Sequence, residues 1–177
     1  FKQTWCYNVQ SLAVNFSIGL IFALFRYVAN EMRRQFMEEI VQKALTKGVE
    51  MHIAGEFEMA SQLYGSVLKL RPNHADANHN MGLLKADAGH DLDALPYLQT
   101  ALEADTSISQ FWLSYAKVLS KLNRVDEANR ILSLAKESGA DGAEFLELQR
   151  QLNEPALVNA LHKSGEGENN AEKPNIL

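Results

Sequence analysis

The sequence has one cysteine, Cys6, in 177 residues, so no intrachain disulfide or cysteine-built zinc site can form. It also lacks a basic excess. With a net charge of −5 and a pI near 5.5, it offers no clustered positive charge for a nucleic-acid backbone. No glycine-rich phosphate loop and no H-E-x-x-H pattern are present. The chain starts at Phe1 rather than a methionine, as expected of a fragment or a processed product. What is there suits a folded domain with tails: 46% hydrophobic and 22% charged residues are ordinary for one.

The informative feature is a repeat. Gly48, Gly82 and Ala116 lie 34 residues apart, and so do Gly55, Gly89 and Asn123. Ala60, Ala94 and Ala128 keep the same phase, as do Tyr64, Leu98 and Leu132, and Val67, Ala101 and Ala135. Five slots in register across three units define one supersecondary unit that cannot bury its apolar face alone. Within the second unit, Ala77, Met81, Leu84 and Ala88 form the stripe of a first helix. Ala94, Leu98 and Ala101 form the stripe of a second. Gly82 interrupts the first helix at a cost of about 1 kcal/mol relative to alanine, which predicts a close helix neighbour there. Gly89 and Asn123 are expected to end first helices at positive φ. Asp91 and Asp126 are predicted N-caps, and Pro96 predicts a late start or a bend.

A period of 34 with these residues resembles the tetratricopeptide repeat (TPR) family over residues 41–142. Pro72 closes unit one and Trp112 takes the leading aromatic slot of unit three. Lys47, Asn78, Thr106 and Ala140 depart from the family pattern. The resemblance implies an all-α, right-handed superhelix of three helix-turn-helix repeats, about 41–74, 75–108 and 109–142. Residues 143–152, with Arg150 in the small-residue slot, predict a C-terminal capping helix. The TPR domain is thus expected over 37–155, followed by a disordered tail or linker over 156–177.

Upstream, residues 4–25 carry no charge, a run long enough to cross a bilayer core of roughly 30 Å. Lys2 precedes it and Arg26, Arg33 and Arg34 follow, which would leave the repeats on the cytoplasmic side. Residues 1–36 are therefore read as a membrane anchor, with membrane contact over 4–28, as a fold-over helix, or as a non-native extension. The expected location is cytoplasmic, with or without that tether.

The sequence offers no catalytic constellation. His74, His79 and His90 lack metal-ligand spacing, and the acidic pairs Asp76 with Asp87 and Glu56 with Glu58 suit solvated helix faces. No enzyme activity, cofactor or metal is expected. The remaining candidate is a surface that binds a protein or peptide, with no role for nucleic acid. By resemblance to TPR proteins, first helices line a concave groove, here through Leu45, Val49 and His52 in unit one. Unit two adds Asp76, His79, Asn80, Leu83 and Asp87, and unit three Gln110, Leu113, Ser114, Lys117 and Lys121. Leu45, Val49 and Leu83 suit helix packing equally well.

The chaperone-clamping TPR domains place basic and amide residues where this chain has Leu45, Val49, Asn80, Gln110 and Ser114, so only Asn80 fits. The asparagine ladder of O-linked N-acetylglucosamine transferases maps to Thr46, Asn80 and Ser114, again with one match. The chain also resembles TPR regions of bacterial glycosyltransferase-like, sulfotransferase or methyltransferase proteins. That implies a targeting role beside a catalytic domain that these residues do not contain.

Overall fold

The computed structural model describes residues 2–166, with side chains over 20–154. Every regular element among the described residues is a helix. In chain order they are α1 (Lys2–Ile53), α2 (Phe57–Leu70), α3 (Ala75–Asp87), α4 (Asp91–Ala104), α5 (Ser109–Lys121), α6 (Val125–Glu137) and α7 (Ala143–Glu166). The chain forms two compact units, 1–46 and 47–177.

The first unit consists of α1 up to Thr46. It exposes Leu20, Ile21, Phe22, Leu24 and Phe25, whereas Val41 and Leu45 are buried. Among the described residues no helix is long and apolar enough to cross a membrane. Most of the run read as an anchor, 4–28, lies in side chains outside the described residues.

The second unit is built of helical hairpins. A Cβ added at Gly82 would sit 2.6 Å from Leu98 Cγ, so α3 and α4 touch where the sequence removes a side chain. Gly48 plays the same part: its Cβ would lie 2.5 Å from Tyr64 Cε1. First helices end at positive φ, +80° at Gly89 and +58° at Asn123. The next amide then reaches back five residues, from His90 to the Lys85 carbonyl at 2.8 Å and from Arg124 to that of Leu119 at 2.9 Å.

Asn78 shows how a departure from the repeat pattern is accommodated. Trp112 Nε1 donates to the Thr106 carbonyl at 2.9 Å. Asn78 Nδ2, in the same slot one unit earlier, donates to the Pro72 carbonyl at 2.8 Å and that of His74 at 3.0 Å. Both side chains tie the helix start to the preceding turn from six residues on, so the polar group is kept and the aromatic bulk is not.

Three local expectations are corrected. Asp91 and Asp126 are not N-caps; His90 and Arg124 hold those positions, and both acids lie in the first turn. There they still complement the helix dipole. Nor does Pro96 delay the start of its helix, since α4 runs from Asp91 through it. Pro96 and Leu92 are both exposed, so water can take the carbonyl that the missing N–H leaves free. Thr100 Oγ1 meanwhile donates to the Pro96 carbonyl at 2.8 Å.

α7 stacks on the last hairpin. Leu148 and Leu152 share one buried cluster with Leu113, Ala116 and Leu132. The helix continues to Glu166, so the segment read as a tail from 156 begins within it, and 167–177 lies outside the described residues.

The core contains one conspicuous polar atom. Tyr64 is fully buried and its hydroxyl has no hydrogen-bond partner among the described residues. An unmade buried hydrogen bond costs about 1–3 kcal/mol. Tyr64→Phe is therefore expected to raise stability by about 1 kcal/mol in urea melts. A loss of that size would reveal a partner for the hydroxyl.

Candidate functional site: the face of the first helices

The end of α1, then α3, α5 and α7, are consecutive first helices, and side chains 35 residues apart meet across them. His52 Nε2 lies 3.1 Å from Asp87 Oδ2, and His79 Nε2 lies 2.9 Å from Ser114 Oγ. Leu113 and Leu148 repeat that offset in the core. One 34-residue repeat plus one residue thus links each first helix to the next, and α7 takes the place of a fourth.

His79 is the buried histidine of this ladder, at 8% exposure. Its ring packs 4.7 Å from that of Phe111, centroid to centroid. Burial pushes its pKa down to about 4, against the opposing pull of Asp76, so the imidazole is neutral at neutral pH. Ser114 Oγ also accepts from Gln110 Nε2 at 3.3 Å. The other histidine, His52, sets its ring edge-on to Phe57, with centroids 5.6 Å apart.

Toward α7 the face becomes charged. Lys117 Nζ donates to Glu144 Oε2 at 3.1 Å. Lys121 Nζ lies 3.8 Å from Asp91 Oδ1, too far for a hydrogen bond, and that buried oxygen has no other partner among the described residues. Lys117, Lys121, Glu144, Glu147, Leu148 and Gln151 line a cleft of about 680 Å³ between α5 and α7.

The residues named from sequence therefore divide by exposure. Asp76, Asp87, Gln110, Lys117 and Lys121 are exposed, Val49 is at the margin of exposure, and His52, Asn80 and Leu83 are half-buried. His79, Leu113 and Ser114 are buried, as is Leu45, which belongs to the unit 1–46. The side-chain amide of Asn80 has no hydrogen-bond partner among the described residues. Glu144, Glu147 and Gln151, read from sequence only as the polar side of a cap, line the cleft between α5 and α7 as well. The 34-residue register points to them from Gln110, Leu113 and Lys117. Among the described residues no three His, Cys, Asp or Glu side chains are grouped to hold a metal ion.

Paired helices with small residues at their crossings, stacked so that first helices share a face, define an α-helical repeat scaffold. The family model of the tetratricopeptide repeat matches residues 85–152, and solved TPR domains share the fold. The TPR2B domain of yeast Sti1, solved in a complex with pHsp70, superposes with a TM-score of 0.61 at 17% identity over 66% of this chain and 98% of that one. The first TPR domain of Spaghetti (RPAP3), bound to the HSP90 peptide SRMEEVD, gives 0.61 at 15% identity over 68% and 94%. An O-GlcNAc transferase mutant from Thermobaculum terrenum gives 0.58 at 20% identity over 64% of this chain and 22% of that one. No curated protein is significantly similar in sequence.

Proposed function

We propose that the array is a non-catalytic docking module, acting in the cytoplasm, that holds an extended segment of a partner protein along its first helices. The observation that carries this is Asn80, whose unpartnered amide is half-buried on α3, about one turn before Leu83. A side-chain amide offers one acceptor and a two-hydrogen donor, which match the C=O and N–H of a peptide backbone. Leu83, three residues on along the same helix and half-buried, adds the apolar surface that recognition of an extended chain requires. Related folds solved with bound peptide support the reading. In a pull-down with the 177-residue chain, Asn80→Ala combined with Leu83→Ala is expected to lose partners that wild type retains. Glu58→Ala, exposed on α2, is expected to keep them. Equal recovery by all three would refute the assignment to this face.

A second reading makes the same array the targeting region of a larger glycosyltransferase-like, sulfotransferase or methyltransferase enzyme. The likeness to an O-GlcNAc transferase, of which this chain spans 22%, favours it. The docking chemistry is the same in both readings.

A further inference from the structure

The first unit carries a stripe of large apolar side chains along α1. Phe22, Phe25, Met32 and Phe36 are 66%, 72%, 66% and 63% exposed, and Ala29 is exposed between them. Steps of three, four, three and four hold these five residues on one face, at the seven-residue interval of a coiled-coil seam. The opposite face starts apolar too, with Leu20, Leu24 and Tyr27 exposed. In the same helical column those residues then give way to Glu31, Arg34 and Glu38, with Arg34 paired to Glu31. The stripe runs on past that change to Phe36 and Ile40. Hydrocarbon would accept the turns that are apolar all round, but not a seam flanked by Arg26, Arg33 and Glu38. A second helix suits the whole stripe.

We propose that this stripe pairs with the same stripe of a second copy of the chain, as an antiparallel two-helix seam. The proposal uses no residue of the repeats and stands apart from the groove reading. Area supports it. An enclosed aromatic side chain buries about 150–250 Å². Roughly two-thirds of that is available at each of the three phenylalanines, so with Ile21, Val28 and Met32 each copy offers on the order of 800 Å². A stable interface takes about 800 Å² from each partner. Orientation follows from which residues meet across a two-fold axis. In the antiparallel register Phe25 meets Phe36 and Ale29 meets Met32, aromatic on aromatic and small against large. Glu39, next in the seam, then faces Phe22 at its edge and keeps its ion pair with Lys43 at 2.7 Å. A parallel pair would instead stack Ala29 on Ala29 and set Glu39 against Glu39, like charges in one layer.

Analytical ultracentrifugation of the 177-residue chain tests this. Wild type is expected at twice the chain mass of 19.8 kDa. Phe25→Glu and Phe36→Glu should each weaken the dimer about tenfold or more, whereas Leu24→Gln on the other face should change it less than about threefold. Circular dichroism and urea unfolding establish that each variant keeps its helices. In a Cys6→Ser background, chains with Phe25→Cys and chains with Phe36→Cys should join by a disulfide under oxidised glutathione only when mixed. A monomeric wild type at submillimolar concentration, or a dimer indifferent to both glutamates, would overturn the proposal. So would a monomer that floats with phosphatidylglycerol vesicles and loses this with Phe36→Glu, because lipid would then be the occupant. Disulfides formed by either cysteine variant alone would overturn the antiparallel register.

Discussion

Replacing Gly82 with leucine is expected to cost about 3 kcal/mol or more, the upper end of the range for overpacked cores. The new Cβ would lie 2.6 Å from Leu98 Cγ, 2.7 Å from Leu98 Cδ2 and 3.4 Å from the Ala94 carbonyl oxygen. Leu98 has no exposed surface and is enclosed by Ala86, Ala94 and Val118, so it cannot swing aside. The helices must separate. Helix propensity acts in the opposite direction, favouring leucine over glycine by roughly 0.8 kcal/mol, too little to reverse the sign. Gly65 is the matched control, because a Cβ there would meet only Met81 Cε at 4.0 Å. Gly65→Ala keeps the propensity gain without the clash and should stabilise by about 0.5–1 kcal/mol. Urea unfolding of the two variants measures both, and effects of the same sign would show that close packing does not set the choice of glycine at position 82.

Contact between the paired helices is legible in the sequence because a single residue type reports each constraint. A glycine where two helices cross and a glycine or asparagine at a left-handed helix end recur every 34 residues, as Gly82, Gly89 and Asn123 show. The lateral offset between neighbouring repeats was not legible. His52–Asp87 and His79–Ser114 are separated by 35 residues, and the extra residue comes from how one first helix slides past the next. No side-chain periodicity within a unit encodes that slide. The same gap explains Leu113, which the register assigned to the groove and which α7 helps to bury through Leu148. Glu144, Glu147 and Gln151 fall in the 34-residue register, but the polar outer face of a capping helix looks the same in sequence as a binding face. Cap positions failed for a different reason: Asp91 and Asp126 sit one and two residues inside their helices, and composition cannot separate a cap from a first-turn acid.

Acidification is expected to weaken this unit through His79. In an unfolded chain its imidazole takes up a proton near the ordinary value of 6.5, but burial holds the folded value at about 4. Because the unfolded state binds the proton more tightly, the contribution is whole above pH 6.5 and is lost as pH falls toward 4. The full loss is about 3 kcal/mol, and about 2 kcal/mol of it falls between roughly pH 7 and 5. The carboxylates held below their ordinary range act lower on the scale. Arg124 holds Glu127 below the usual carboxylate value, and Arg150 and Gln151 hold Glu147 at about 2. His79→Phe separates these contributions. Phenylalanine can stack on Phe111 in place of the imidazole, and Ser114 Oγ keeps its bond from Gln110 at 3.3 Å. Urea unfolding at several pH values should therefore show a steep loss for wild type between about pH 6.5 and 4.5 and a nearly flat line for His79→Phe. Parallel slopes would mean that His79 accepts its proton without leaving the core, and the ladder between α3 and α5 would then tolerate an imidazolium.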